Sequence, residues 1–90
     1  MTIKEFQDHI RTKYGARDQE RGTPATFLWF VEEVGELASA LGGKTGHENK
    51  EEEFADVLAW LCTLANINGV DLEKALHDKY FKNGGPVGHK

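Results

Sequence analysis

Thr23-Pro24-Ala25-Thr26-Phe27-Leu28-Trp29-Phe30-Val31-Glu32-Glu33-Val34-Gly35-Glu36-Leu37-Ala38-Ser39-Ala40-Leu41 reads as one helix. Thr23 suits the N-cap, and Pro24 the first helical position, where a missing N–H goes unnoticed. Phe27, Phe30, Val31, Val34, Leu37, Ala38 and Leu41 recur at helical spacing and form a broad apolar stripe. Gly42-Gly43 is a stop signal. A helix with so wide a stripe needs a partner, and the next periodic segment supplies one. It starts near Glu48 or Asn49, runs to about Asn66, and carries Phe54, Val57, Leu58, Leu61, Leu64 and Ala65. The short Gly-rich connector between them forces an antiparallel pair.

Two outer helices complete the reading. Thr2 and Glu5 form a capping box that opens the first, with Ile3, Phe6, Ile10 and Tyr14 on its apolar side and Gly15 at its end. Residues 15–22 are polar and aperiodic, and read as a loop. Asp71 caps the last helix, about 72–82, before Gly84-Gly85-Pro86 breaks it. No useful β-alternation occurs. The expectation is an all-α chain of four helices forming one domain over residues 1–90, with 84–90 as a loose tail and a core completed by oligomerisation.

Composition narrows the function classes. The 90 residues carry a net charge of -4, and the 11 Lys and Arg are scattered, so there is no clustered basic face for nucleic acid. The single cysteine, Cys62, precludes an intrachain disulfide and reads as a small buried thiol. The N-terminus lacks the apolar run of a signal peptide, and no stretch is long enough to span a bilayer. A cytoplasmic protein that does not engage membranes is expected.

The chemistry gathers on two acid-x-x-acid steps, Glu33 to Glu36 and Glu53 to Asp56. Residues three apart share a helix face. Residue numbers that pair across an antiparallel turn keep a constant sum. Glu36 with Glu53 and Glu33 with Asp56 both sum to 89. The four acids thus fall at two matched levels, roughly 4.5 Å apart along the helix axes. This fixes level but not rotation about each axis. If the acids face one another, they must take up protons or cations. An all-oxygen donor set favours Mg²⁺, with Mn²⁺ as a substitute, and Mg²⁺ leaves positions for water and phosphate. Acid pairs on exposed helix faces are common, and Glu48, Glu51 and Glu52 are assigned to that solvated class.

Trp29 and Trp60 also sum to 89, one turn from the acids, as a platform for a flat base or as ordinary core tryptophans. Lys79 and Asn83, one turn apart, are candidates for phosphate contacts or plain surface residues. Arg17 and Arg21, in the loop leading to Trp29, are candidates for substrate contact or plain surface charges. His9, His47, His77 and His89 show no ligand spacing. Gly35 is expected to let the helices approach closely.

Glu32-Glu33-Val34-Gly35-Glu36, sixteen residues, then Glu53-Phe54-Ala55-Asp56 resembles the E-E-x-x-E … E-x-x-D signature of MazG-like nucleotide pyrophosphohydrolases. The resemblance extends through Thr26-Phe27-Leu28-Trp29 and Gly69-Val70-Asp71-Leu72-Glu73-Lys74-Ala75 to Lys79-Tyr80. It implies an all-α domain, usually dimeric or tetrameric. It implies Mg²⁺-dependent cleavage of a nucleoside triphosphate between the α and β phosphates, with a house-cleaning role. Glu33, Glu36, Glu53 and Asp56 would be metal ligands, and Glu32 would support the site or orient the attacking water. Lys79 and Asn83 match a position pattern for phosphate contacts. Some relatives carry a cysteine-bearing tail. The tail here has no cysteine, so no tail metal site is inferred. The rival readings are a non-enzymatic helical dimerisation module and a nucleotide-binding regulator without turnover.

Overall fold

The computed structural model describes residues 1–43 and 49–88. Lys44, His47 and Glu48 of the connector, and His89 of the tail, lie outside them. Among the described residues the chain is all-helical: α1 (Ile3–Gly42), α2 (Lys50–Ile67), α3 (Leu72–Tyr80) and a 3₁₀ turn over Lys82–Gly84. None of these helices is long and apolar enough to cross a membrane.

The expectation of a loop over 15–22 is corrected here: the first two expected helices run together as two arms of α1. Residues 15–21 are helical, not a loop, and the break narrows to Gly22 (φ 79°, ψ 174°). Arg17, Gln19, Glu20 and Arg21 are adequate helix formers, and Asp18 pairs with Arg21 three residues on. The helical ladder fails at Gly22 because Pro24 has no N–H and its ring crowds the preceding turn. The positive φ there is open to glycine and strained for other residues. The last helix is also shorter than expected, ending at Tyr80 rather than 82.

Caps hold the helix ends. Thr2 Oγ1 accepts from the Glu5 N–H at 3.0 Å, while Glu5 accepts from the Thr2 N–H at 2.9 Å. Asn49 and Asp71 cap α2 and α3, and Gly43 closes α1 in the left-handed conformation. Helix α1 packs chiefly against α2, its second arm returning alongside it.

A buried glutamine ties the first arm of α1 to the α2–α3 turn. Gln7, 2 % exposed, donates through Nε2 to Val70 O (2.7 Å) and Asn66 Oδ1 (2.9 Å). Its Oε1 accepts from the Leu72 N–H (3.0 Å), and its carbonyl accepts from Asn66 Nδ2 (3.2 Å). The apolar core is small by comparison: among the described residues its buried members are Ile10, Ala40, Cys62 and Ala65.

Much of the apolar stripe stays in solvent. Phe27, Leu28, Val31, Val34 and Leu41 of α1 are exposed, as are Phe54, Leu58 and Leu61 of α2. The chain exposes 6727 Å², against about 5,300 Å² for a compact monomer of this mass. Its radius of gyration is 14.8 Å, against about 12 Å from chain-length scaling. A Cβ on Gly35 would meet nothing within 4 Å. Close helix approach therefore does not explain this glycine within the chain, which corrects that expectation.

Candidate metal and nucleotide site

Glu33 comes from the second arm of α1, and Glu53 and Asp56 from the first turns of α2. One carboxylate oxygen from each lies within 4.8 Å of the other two. Spacing predicted the level, and the packing of α2 on α1 supplies the rotation. Among the described residues, Glu33 Oε2 and Glu53 Oε2 are buried and have no hydrogen-bond partner. Buried polar atoms without partners are rare and call for an explanation such as an ion or water.

The electrostatics carry the same tension. Burial first, then a hydrogen bond that protonated Glu33 gives to Glu36, and then the charges of Glu36, Asp56 and Glu53 together push the Glu33 carboxyl up to about 7. Glu53 is raised too, by desolvation first and then by Glu36, Asp56 and Glu52. Without a cation, Glu33 holds its proton up to about pH 7. Glu36 touches the cluster through Glu33 and Glu53 but is not one of the three converging residues. Glu32 is exposed and lines a shallow cavity with Glu33, Trp29 and Trp60.

The tryptophans meet one turn away. Their ring centroids are 5.3 Å apart with planes at 68°, an edge-to-face contact rather than a parallel slot. Lys79 is exposed on α3, with its Nζ 5.5 Å from the Tyr80 ring centroid. Asn83 adopts a left-handed conformation (φ 55°) in the 3₁₀ turn. Neither lines the cavity beside Asp56 or the one beside Glu33.

The sequence offered Arg21 as a substrate contact or a surface charge, and it missed Asp18. Arg21 is half-buried, and its guanidinium lies over both tryptophans, 5.3 Å from the Trp29 centroid and 5.1 Å from that of Trp60. Arg21 Nε donates to the fully buried Thr26 Oγ1 at 2.8 Å, and a second nitrogen donates to the buried Asp18. The available signal was the Asp-x-x-Arg step just before Thr26, which on spacing alone looks like any surface ion pair.

A family model described as the MazG nucleotide pyrophosphohydrolase domain matches residues 21–83. That span holds Glu32, Glu33, Glu36, Glu53, Asp56 and both tryptophans. No curated protein matches the chain.

Proposed function

Because the chain belongs to the MazG nucleotide pyrophosphohydrolase domain family, we propose that it hydrolyses a nucleoside triphosphate between the α and β phosphates. The products are a nucleoside monophosphate and pyrophosphate, and the role is house-cleaning of the nucleotide pool in the cytoplasm. The observation that carries this reading is the convergence of Glu33, Glu53 and Asp56 with two buried, unpaired carboxylate oxygens.

The donor set fits a hard divalent cation: carboxylate oxygens only, with no nitrogen or sulfur among the three. In the proposal Glu33, Glu53 and Asp56 hold Mg²⁺ or Mn²⁺, and Glu36 completes the ligand set. A cation bound there would neutralise phosphate charge and acidify a bound water. The protein contributes charge balance and position rather than a nucleophile. Glu33 and Glu53 must be ionised to serve, so the protein gives up the proton that burial otherwise retains. Glu32, exposed beside Glu33, is assigned to orienting the attacking water. Trp29 and Trp60 flank the nucleoside. Lys79 and Asn83 are assigned outer phosphate contacts for their cationic and amide chemistry.

The working form in this proposal is a homodimer or homotetramer. Its support is the exposed stripe on α1 and α2 and a solvent-accessible surface well above that of a compact chain. A purely structural dimerisation module would account equally well for that stripe. It would give no reason for the unpaired acid oxygens.

The test is a pyrophosphate-release screen over ordinary, deoxy and modified nucleoside triphosphates, with and without Mg²⁺. Release that requires Mg²⁺ is expected. Nucleotide binding without release would favour a regulatory protein, and a lack of both would leave the dimerisation module.

A further inference from the structure

Trp60 lines two cavities. One contains Glu32 and Glu33. The other, about 360 Å³, lies between the first arm of α1 and α2, with Tyr14, Arg17, Asp18, Arg21 and Asp56 among its walls. Asp56 thus belongs both to the acid cluster and to the second cavity. Because Asp56 is shared, a nucleotide whose phosphates meet the cluster can place its base in this cavity. The volume is at the small end for ligand pockets and suits one nucleobase.

The inner wall is unusual. Asp18 is 4 % exposed. One of its oxygens accepts from Arg21, while Oδ2 is buried and has no partner among the described residues. Arg21 is fixed from behind by Thr26 and stacks on Trp60, so the carboxylate sits beside a planar cation and an aromatic face. Resting on the pyrophosphohydrolase reading, we propose that this cavity takes the nucleobase. We further propose that Asp18, through its unpaired oxygen, selects bases with an exocyclic amino group over thymine and uracil.

The chemistry runs through donor and acceptor matching. An ionised carboxylate only accepts. The amino groups of cytosine, adenine and guanine donate. Thymine and uracil offer one ring N–H flanked by two carbonyls, whose lone pairs oppose the carboxylate. Oδ2 is buried, and Asp18 also borders a second cavity with Arg11 and Asn66 on its other side, so contact with a base requires the Asp18 carboxylate to turn or Arg21 to yield. Arg17 and the remaining Arg21 N–H groups can meet a ring nitrogen or carbonyl of the same base.

The test compares pyrophosphate release from dCTP, dATP, dGTP, dTTP and dUTP by the full chain and by Asp18→Asn, with folding checked by circular dichroism. The wild type should favour the three amino bases by about tenfold or more in kcat/KM, the scale of one charge-assisted hydrogen bond. Asp18→Asn, whose amide can also donate, should collapse that ranking while still releasing pyrophosphate. A purely structural role would lower all five rates together and keep the ranking. Tryptophan quenching of the wild type by dCMP and dTMP without metal gives a second readout, independent of whether the variant folds, and dCMP should quench at lower concentration. Equal quenching, no wild-type ranking, or a ranking preserved in folded Asp18→Asn would overturn the proposal. No release from any triphosphate, with dCMP still preferred over dTMP in quenching, would count against the pyrophosphohydrolase reading instead.

Discussion

Trp29 and Trp60 meet edge to face at 5.3 Å, joining α1 to α2 one helical turn from Glu33 and Asp56. The contact fixes how far apart the two acid-bearing helices sit at one end of the cluster. Arg21 lies over both rings and ties them to Asp18 and Thr26. The acid cluster is thus braced from one side by aromatic and cationic contacts. It does not rest on the small apolar core alone.

The acid cluster should make the metal-free protein less stable as pH rises. Glu33 keeps its proton up to about pH 7 when folded, whereas its ordinary value is 4.5. Between those values the native state binds more protons than the unfolded chain. The stability from this group is therefore full below about 4.5 and is lost as pH rises through 7. Melting in chelator should show Tm falling across that window, and Glu33→Gln should flatten the slope. Mg²⁺ or Mn²⁺ should raise Tm most above pH 7, and binding at pH 6 should release protons into weak buffer. A Tm that rises with pH in chelator, or that ignores both cations, would count against the cluster as a cation site.

Gln7 should matter more for stability than its polarity suggests. Its side chain satisfies Val70 O, the Leu72 N–H and Asn66 inside the fold. Gln7→Leu would strand those groups and should cost about 3 kcal/mol or more. Urea denaturation measures this directly, and a loss under about 0.5 kcal/mol, the level of an ordinary surface change, would show that the network does not hold α3 in place.

Gly22→Ala isolates a backbone effect. An added Cβ would meet nothing within 4 Å, but the residue has φ 79°. The expected cost is about 1–3 kcal/mol. If Ala is neutral in a melt, the two arms of α1 do not need that conformation.

The exposed apolar stripe makes a prediction about assembly. Leu28 is 69 % exposed and Phe54 56 %. Light scattering should give a mass at least twice the 10.1 kDa of one chain. Leu28→Glu or Phe54→Glu should reduce that mass and lower stability together. A monomeric wild type at micromolar concentration would contradict the proposed assembly.

The sequence conveyed level well and rotation poorly. The periodicity over 27–41 and 54–65 identified the two central helices. The constant sum of 89 brought Trp29 opposite Trp60, where the rings do meet. It could not say that Glu33, Glu53 and Asp56 converge while Glu36 stays beside them, since that depends on how each helix turns about its own axis. Residues 15–21 were misread because helices without an apolar stripe leave no periodic signal. Asp18 and Gln7 were missed, and Arg21 was read mainly as a surface charge, for a related reason: burial of a polar side chain is a tertiary property, and its spacing matches that of a solvated one. Gly22 beside Pro24 was legible as a break, but not as a break of a single residue.

The most direct test of the account is pyrophosphate release by Glu53→Gln and Asp56→Asn with Mg²⁺ present, alongside the wild type and with folding confirmed by circular dichroism. Both variants keep side-chain size while removing one carboxylate from the cluster. The account predicts Mg²⁺-dependent release by the wild type and a fall of about a hundredfold or more in each folded variant. Wild-type rates in either variant would contradict it.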